Sequence, residues 1–271
     1  MHNLSVVAAS VVGTEHRRLG KNNQDAWQIR QQDDLLVAVV CDGCGSAPFS
    51  EVGASLIARY IANWPGFAIG SLAHPVLWEQ LRADLLGTFW IFLRKLDAGL
   101  KQAVNDLMLC TATVVVVTPK ETVIATIGDG LLIANDSIQV VEPLAGNRPP
   151  YIAYDLVPDY FDIAAEELQF RLQVVMPTAE LESFVIGTDG AVQLLELIGQ
   201  PMPGKSTLIT DLRQWPFEDR LMANPDGLRR RLAMINKDVT RPDWEDRRLN
   251  HDHGRLQDDT TIIMGRFERS E

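Results

Sequence analysis

The chain has 271 residues, 46% hydrophobic and 23% charged, a globular composition with enough apolar material for a sizeable core. A formal charge of −11 argues against a general binder of nucleic-acid backbone, which needs lysine and arginine in excess on at least one face. No apolar run reaches the length of a membrane span, the start "MHNLSVVAASVVGTEHRR" has no basic stretch ahead of its apolar one, and three cysteines cannot build a disulfide framework, so a soluble cytoplasmic protein with no membrane or nucleic-acid partner is expected.

In chain order, strands are predicted at about 5–12, 26–32, 35–41, 111–117, 122–127, 131–134, 183–187 and 260–267, rich in Val, Ile, Thr and Phe and bounded by Gly, Pro or Asp. Helical patterning covers roughly 50–63, 76–108, 190–198 and 226–236. Two strand pairs are joined by connections too short for a parallel crossover, so they form antiparallel hairpins with long helices inserted between them, an α+β arrangement expected as a single domain over 1–271. The stretch 142–162 holds four prolines and several aromatics and reads as a long surface loop or flap beside something functional; 199–257 is irregular and stays unplaced.

Three apolar strands run into the same punctuation, at Asp42-Gly43, Asp129-Gly130 and Asp189-Gly190, while Asp25 and the pair Asp258-Asp259 stand at the beginnings of two others. A turn centred on Asp33-Asp34 sets Asp25 directly opposite Asp42 at the open end of the first hairpin, with Cα atoms about 5 Å apart. A turn at "TPKE" likewise brings Thr111 and Asp129 to one open end. Asp-Gly after a strand is most often an ordinary turn, because glycine supplies positive φ. Five such sites with a common end are harder to dismiss: carboxylates this close must be protonated or neutralised by a cation, and oxygen-rich, nitrogen-poor ligation points to Mg²⁺ or Mn²⁺.

Cys41-Asp-Gly-Cys44 admits a zinc or redox reading. Zinc needs four ligands, and the remaining candidates are Cys110 and five scattered histidines, with His251 and His253 in a polar loop. Asp42 between the two thiols opposes the lowered thiol pKa that redox pairs need. Cys41 is therefore taken as a buried strand residue and Cys44 as a loop residue facing a cleft.

The segments "NNQDAW", "CDGCGSAPFSEVGA", "CTATVVVV" with "IGDG", "IGTDG" and "QDDTTIIMGRF" resemble, in order and approximate spacing, the metal-dependent serine/threonine phosphatases of the protein phosphatase 2C family, above all its bacterial branch. The resemblance spans about residues 5–267. It implies a four-layer αββα sandwich of two antiparallel sheets flanked by helices, with a two-metal centre in a cleft at one edge. It places metal-ligand roles on Asp25, Asp42, the carbonyl of Gly43, Asp189 and Asp258, and a third, weaker site on Asp129; the loop at 142–162 corresponds to a substrate flap. Four departures stand out: Gln24 where the family usually has Glu, Gly20 where an Arg often binds phosphate, Cys44 where a His often follows, and Gln193 where an Asp often supports the third metal. Arg17, Arg18 or Lys21 would have to supply the phosphate contact.

The activity this implies is hydrolysis of phosphoserine or phosphothreonine in proteins by water activated between two Mn²⁺ or Mg²⁺ ions, with no side-chain nucleophile. A rival reading keeps the fold without the activity, as a regulatory binding domain; Gln24 and the missing Arg favour it, the intact acids oppose it. A third reading, hydrolysis of small phosphate esters, uses the same centre. The resemblance also implies a phosphorylated protein substrate, a Ser/Thr kinase or its target; a monomer acting in signalling is the expectation.

Overall fold

The computed structural model describes residues 4–96, 99–146 and 148–268. In chain order the elements are β1 (Leu4–Val11), α1 (Thr14–Leu19), β2 (Ala26–Gln32), β3 (Leu35–Cys41), α2 (Ser50–Asn63), α3 (Pro75–Leu93), α4 (Leu100–Leu107), β4 (Ala112–Val117), β5 (Glu121–Ile127), β6 (Gly130–Ala134), β7 (Ser137–Val141), β8 (Arg171–Pro177), β9 (Ser183–Gly187), α5 (Asp189–Glu196), α6 (Asp219–Met222), α7 (Gly227–Ile235), β10 (Val239–Asp243), β11 (Arg248–Asp252) and β12 (Thr260–Phe267). They form two five-stranded antiparallel sheets, one ordered β1-β12-β9-β6-β7 and the other β2-β3-β4-β5-β8, and β10 pairs with β11 as a separate ribbon.

Alternation along each strand builds four layers. In β3, Leu36, Ala38 and Val40 join Val115, Val117 and Ile124 of their own sheet and Phe184, Ile186 and Ile263 of the other in a core between the sheets. Val37, Val39 and Cys41 point the other way, into a core shared with α2, α3 and α4. α2 buries Gly53, Ala54, Ile57, Ala58, Ile61 and Ala62, a three-and-four stripe of small and branched residues. Gly53 is obligatory there, since a Cβ would stand 2.1 Å from the Leu107 carbonyl oxygen. On the far side, Val185, Ile262 and Met264 pack under α5 and α7. This is the expected αββα sandwich.

The first hairpin has the expected register, Ala26 opposite Cys41 through Gln32 opposite Leu35, turning on Asp33 at φ +51°, a left-handed conformation that aspartate tolerates. Other expectations need correction. The predicted helix over 76–108 is two helices: α3 ends at Leu93, and α4 begins at Leu100 after Gly99, whose φ of +77° lies outside any α-helix; residues 97 and 98 within that span lie outside the described residues. The segment 142–162 is not a free surface loop. Tyr151, Ile152, Ala153 and Tyr154 are buried in the core with α3, and Arg82 of α3 holds Asp155 at 3.0 Å and the Leu168 carbonyl at 2.7 Å; residue 147 within it lies outside the described residues.

The unplaced stretch 199–257 resolves into α6, α7, the β10–β11 ribbon and a 3-10 turn at Leu212–Phe217. It is anchored by Trp215, which is buried with its indole donating to the Thr210 carbonyl, and by Arg231, buried against Glu218 at 2.6 Å. Patterning also missed the short edge strands β7 and β8.

Phe184 is fully buried between the sheets, its ring over Gly265, where a Cβ would come within 2.4 Å of it. Phe184→Ala is expected to lower the unfolding free energy by about 3–5 kcal/mol in urea denaturation monitored by circular dichroism.

Candidate metal centre

Strand geometry delivers the acids to one edge of the sandwich. Asp25 stands one residue before β2 and Asp42 one residue after β3, continuing the ladder that closes at Ala26 and Cys41. The Asp42 backbone is tied to Thr111, its N–H donating to Thr111 Oγ1 at 3.2 Å and its carbonyl accepting from the Thr111 N–H at 2.9 Å. Asp129 follows the β5 hairpin strand between Gly128 at φ +97° and Gly130 at φ +143°. Any side chain at 128 would meet Thr111 at 2.4 Å, and one at 130 would meet the Gly187 carbonyl at 2.7 Å, so the glycines let this turn pass between the two sheets.

β9 of the other sheet ends at Gly187, Thr188 takes the N-cap position of the helix that follows, and Asp189 opens α5. Thr188 Oγ1 donates to Asp25 Oδ2 at 2.8 Å across the gap between sheets, and accepts from the Thr261 N–H at 3.1 Å. Asp258 directly precedes Asp259, which is almost fully buried. Asp259 Oδ1 accepts from the Gly13 N–H at 2.8 Å, and Oδ2 from the Gln24 N–H at 2.6 Å with His16 Nδ1 at 2.8 Å. His16, Asp258 and Asp259 offer ligand atoms within 4.8 Å of one another, the one such group of three His, Cys, Asp or Glu ligands found among the described residues. Both oxygens of Asp259 are already engaged by donors, so we read Asp259 as the anchor that seats three chain segments and Asp258 as the acid left to the site.

The electrostatics follow from crowding. Burial, then the charges of Asp259 and Asp189, push the Asp25 carboxyl up to about 8. Asp42 is raised well above the usual range by desolvation and by Asp189, Asp25, Asp258 and Asp129 together. Asp129 rises to about 6, by burial and then Asp189; Asp258 is raised by the same two causes. Asp25 Oδ1 and Asp129 Oδ1 are buried and have no hydrogen-bond partner. Buried acceptors without donors are rare and need something to satisfy them. An all-oxygen donor set of several carboxylates fits a hard divalent cation, whose charge would remove the repulsion.

The other expected residues are distributed differently. Arg17 donates to the Asn236 carbonyl at 2.8 Å and faces Asp238 at 3.9 Å; Arg18 is exposed on α1. Lys21 Nζ instead donates to the Gly45 carbonyl at 2.6 Å, on the turn that follows Asp42-Gly43. Gly43 itself has no room for a Cβ, which would lie 2.5 Å from the Gln24 carbonyl oxygen. Cys41 is fully buried and Cys44 half-buried, its Sγ 3.2 Å from Ser46 Oγ. Burial and the neighbouring Cys44 push the Tyr151 phenol far up, with Asp42 adding to the shift. His16, Thr188 and Tyr151 were not singled out by the sequence, since each is placed at the site by partners distant in the chain.

The comparisons bear on this arrangement. A family profile described as Protein phosphatase 2C matches residues 12–224. The chain belongs to the protein phosphatase 2C family. No curated protein matches it in sequence. Among solved structures this protein phosphatase 2C chain is similar to a bacterial serine phosphatase bearing an arginine-to-lysine mutation, at 15% identity and TM-score 0.57 over 98% of both chains. It is similar to PppA, a key regulatory component of T6SS in Pseudomonas aeruginosa, at 18% identity and TM-score 0.54, again over 98% of both. A C. elegans sex determining protein shares 13% identity at TM-score 0.56, over 98% of this chain and 65% of that one. At these identities the likeness is one of fold, the αββα sandwich of the protein phosphatase 2C family.

Carboxyls with raised native pKa values bind more protons folded than unfolded, so their contribution to stability is present near pH 4 and is lost as pH rises toward 8. For metal-free protein, the melting temperature is expected to fall across this window apart from other titrations. Mn²⁺ is expected to raise it more at pH 8 than at pH 5, because binding displaces fewer protons there. Scanning calorimetry with and without chelator measures both.

Proposed function

We propose that this chain hydrolyses phosphoserine and phosphothreonine in proteins through a centre of two Mn²⁺ or Mg²⁺ ions. The observation that carries the reading is the gathering of Asp25, Asp129, Asp189 and Asp258 around Asp42, with Asp25 Oδ1 and Asp129 Oδ1 buried and lacking any donor, in a member of the protein phosphatase 2C family. Asp25, Asp42, the Gly43 carbonyl, Asp189 and Asp258 would hold the two ions. Asp129 would serve a third and weaker site, because Gln193 brings no charge and its Oε1 already accepts from the Gln257 N–H at 2.8 Å. When bound, the ions supply charge neutralisation and an activated water.

The chain's own groups orient and enclose. Thr188 fixes Asp25 through Oδ2 and leaves Oδ1 to the site. Lys21, held over the turn at Gly45, is the cation we assign to the substrate phosphate in place of Arg17 or Arg18. The buried Tyr151–Tyr154 pair, rings 5.2 Å apart, walls the Cys44 side. The Cys44 thiol lies against Ser46 and the protonated Tyr151 phenol, neither of them a general base, so no covalent phosphoenzyme is assigned. No helix among the described residues is long and apolar enough to cross a membrane. A phosphoprotein in the cytoplasm, a kinase or its target, is the partner this reading assigns.

The second reading, a phosphatase-fold binding domain, is favoured by Gln24 and by Gly20 at the place of the missing Arg. Turnover separates them. Purified protein with Mn²⁺ is expected to release phosphate from phosphoserine and phosphothreonine peptides and p-nitrophenol from its phosphate ester, and chelator is expected to abolish both. Asp42→Asn is expected to cut kcat at least about a hundredfold. Calorimetric Mn²⁺ binding with no turnover on any substrate would establish the binding domain instead. Turnover of the ester but of no phosphopeptide would move the substrate to small phosphate esters.

Two side-chain roles are tested separately. Cys44→Ser is expected to leave kcat within about threefold, and a large loss would overturn the assignment of water as nucleophile. Lys21→Ala is expected to raise KM for phosphopeptide several-fold with a smaller effect on kcat, read from initial rates.

A further inference from the structure

Gln24 is 3% exposed and occupies the position where a carboxylate would add charge to the site. Its amide orientation is fixed by what surrounds it. Nε2 donates to Ser50 Oγ at 2.7 Å and to the Ala47 carbonyl at 2.9 Å, with the Cys44 carbonyl at 3.4 Å. The two carbonyls can only accept, so the amide cannot flip. Ser50 Oγ in turn donates to the Cys44 carbonyl at 3.0 Å. The amide therefore ties together both ends of the turn from Cys44 to Ser50, just beyond Asp42-Gly43. Its backbone N–H holds Asp259, and its carbonyl oxygen closes on Gly43. Between this segment and the turn lies a cavity of 310 Å³ lined by Lys21, Gln24, Ser46, Ala47, Phe49 and Glu51 among others, so packing alone does not brace the turn.

We propose that Gln24 is a positioning residue whose amide N–H₂ locks the 44–50 turn, and with it the Gly43 carbonyl, in the geometry that binds divalent cation, so that a carboxylate here is harmful. This rests on the cation-binding reading of the acids above. A glutamate would set two acceptor oxygens against the Ala47 and Cys44 carbonyls and supply no donor to either. Gln24 Oε1, buried and without a partner, remains as a neutral acceptor for a donor that the chain itself does not provide. If Gln24 were merely a weakened version of a charged ligand, restoring the charge would instead tighten cation binding.

The test compares wild type with Gln24→Glu and Gln24→Met, using Mn²⁺ calorimetry and hydrogen exchange at the Cys44 and Ala47 amides, which donate to the Leu109 and Cys44 carbonyls. Both variants are expected to weaken Mn²⁺ binding at least about tenfold. Both are also expected to speed exchange in the 44–50 turn about tenfold while the strands of both sheets keep their protection. Unchanged exchange in the turn, or Mn²⁺ bound as tightly or more tightly by Gln24→Glu, would overturn the proposal. Collapse of both variants throughout would overturn it too, by making Gln24 a pillar of the whole fold. The exchange and binding readouts need no turnover, so the proposal stands or falls apart from phosphatase activity; wild type that binds no Mn²⁺ would sink the reading it rests on.

Discussion

Carboxylates repel one another more strongly as water is withdrawn from them, and the fold forces several into a space where water is scarce. The hairpin ladder puts Asp25 across from Asp42, and the opposite sheet delivers Asp189 and Asp258 to the same edge. The raised pKa values of Asp25, Asp42, Asp129 and Asp258 express that constraint. Carboxylates crowded and shifted in this way concentrate at functional sites, because a bound cation relieves a repulsion that the fold alone leaves standing.

Holding the acids together takes devices that are not acids. The Thr188 bond to Asp25 joins the sheets at the point where their charges meet. Asp259 accepts from Gly13, Gln24 and His16 and so pins the segment carrying Asp258 against the entry to β2. Gly128, Gly130 and Gly43 give backbone room where side chains would collide with Thr111, the Gly187 carbonyl and the Gln24 carbonyl respectively. Each of these lies at the seam between two layers, which is why the site's rigidity belongs to the sandwich rather than to any loop.

The departures from the family pattern are local and are compensated locally. Gln24 trades a charge for two hydrogen-bond donors that organise the next turn. Gly20 removes a guanidinium, while Lys21 reaches the same turn from the outside. Gln193 gives up a carboxylate and binds the backbone before Asp258. Together they keep the oxygen-rich centre and lower the negative charge around it.

The sequence by itself determined the two hairpins, the register that opposes Asp25 and Asp42, and the α+β arrangement, because strand periodicity and turn length are local properties read within a dozen residues; the four-layer sandwich followed only from the resemblance to the family. It also marked the acids at strand ends, since Asp-Gly punctuation is visible in the chain. Only the tertiary structure decided that Arg17 turns to Asn236 while Lys21 turns to Gly45, that Tyr151 and its neighbours pack into the core, and that Asp259 engages both oxygens with distant segments while the Asp258 carboxylate accepts from the adjacent Asp259 N–H. Those choices depend on residues from 24 to 243 positions apart meeting in space, beyond the reach of any local pattern. Short elements such as β7, β8 and the β10–β11 ribbon were missed for the same reason: their stability comes from a neighbouring strand or layer, not from their own pattern.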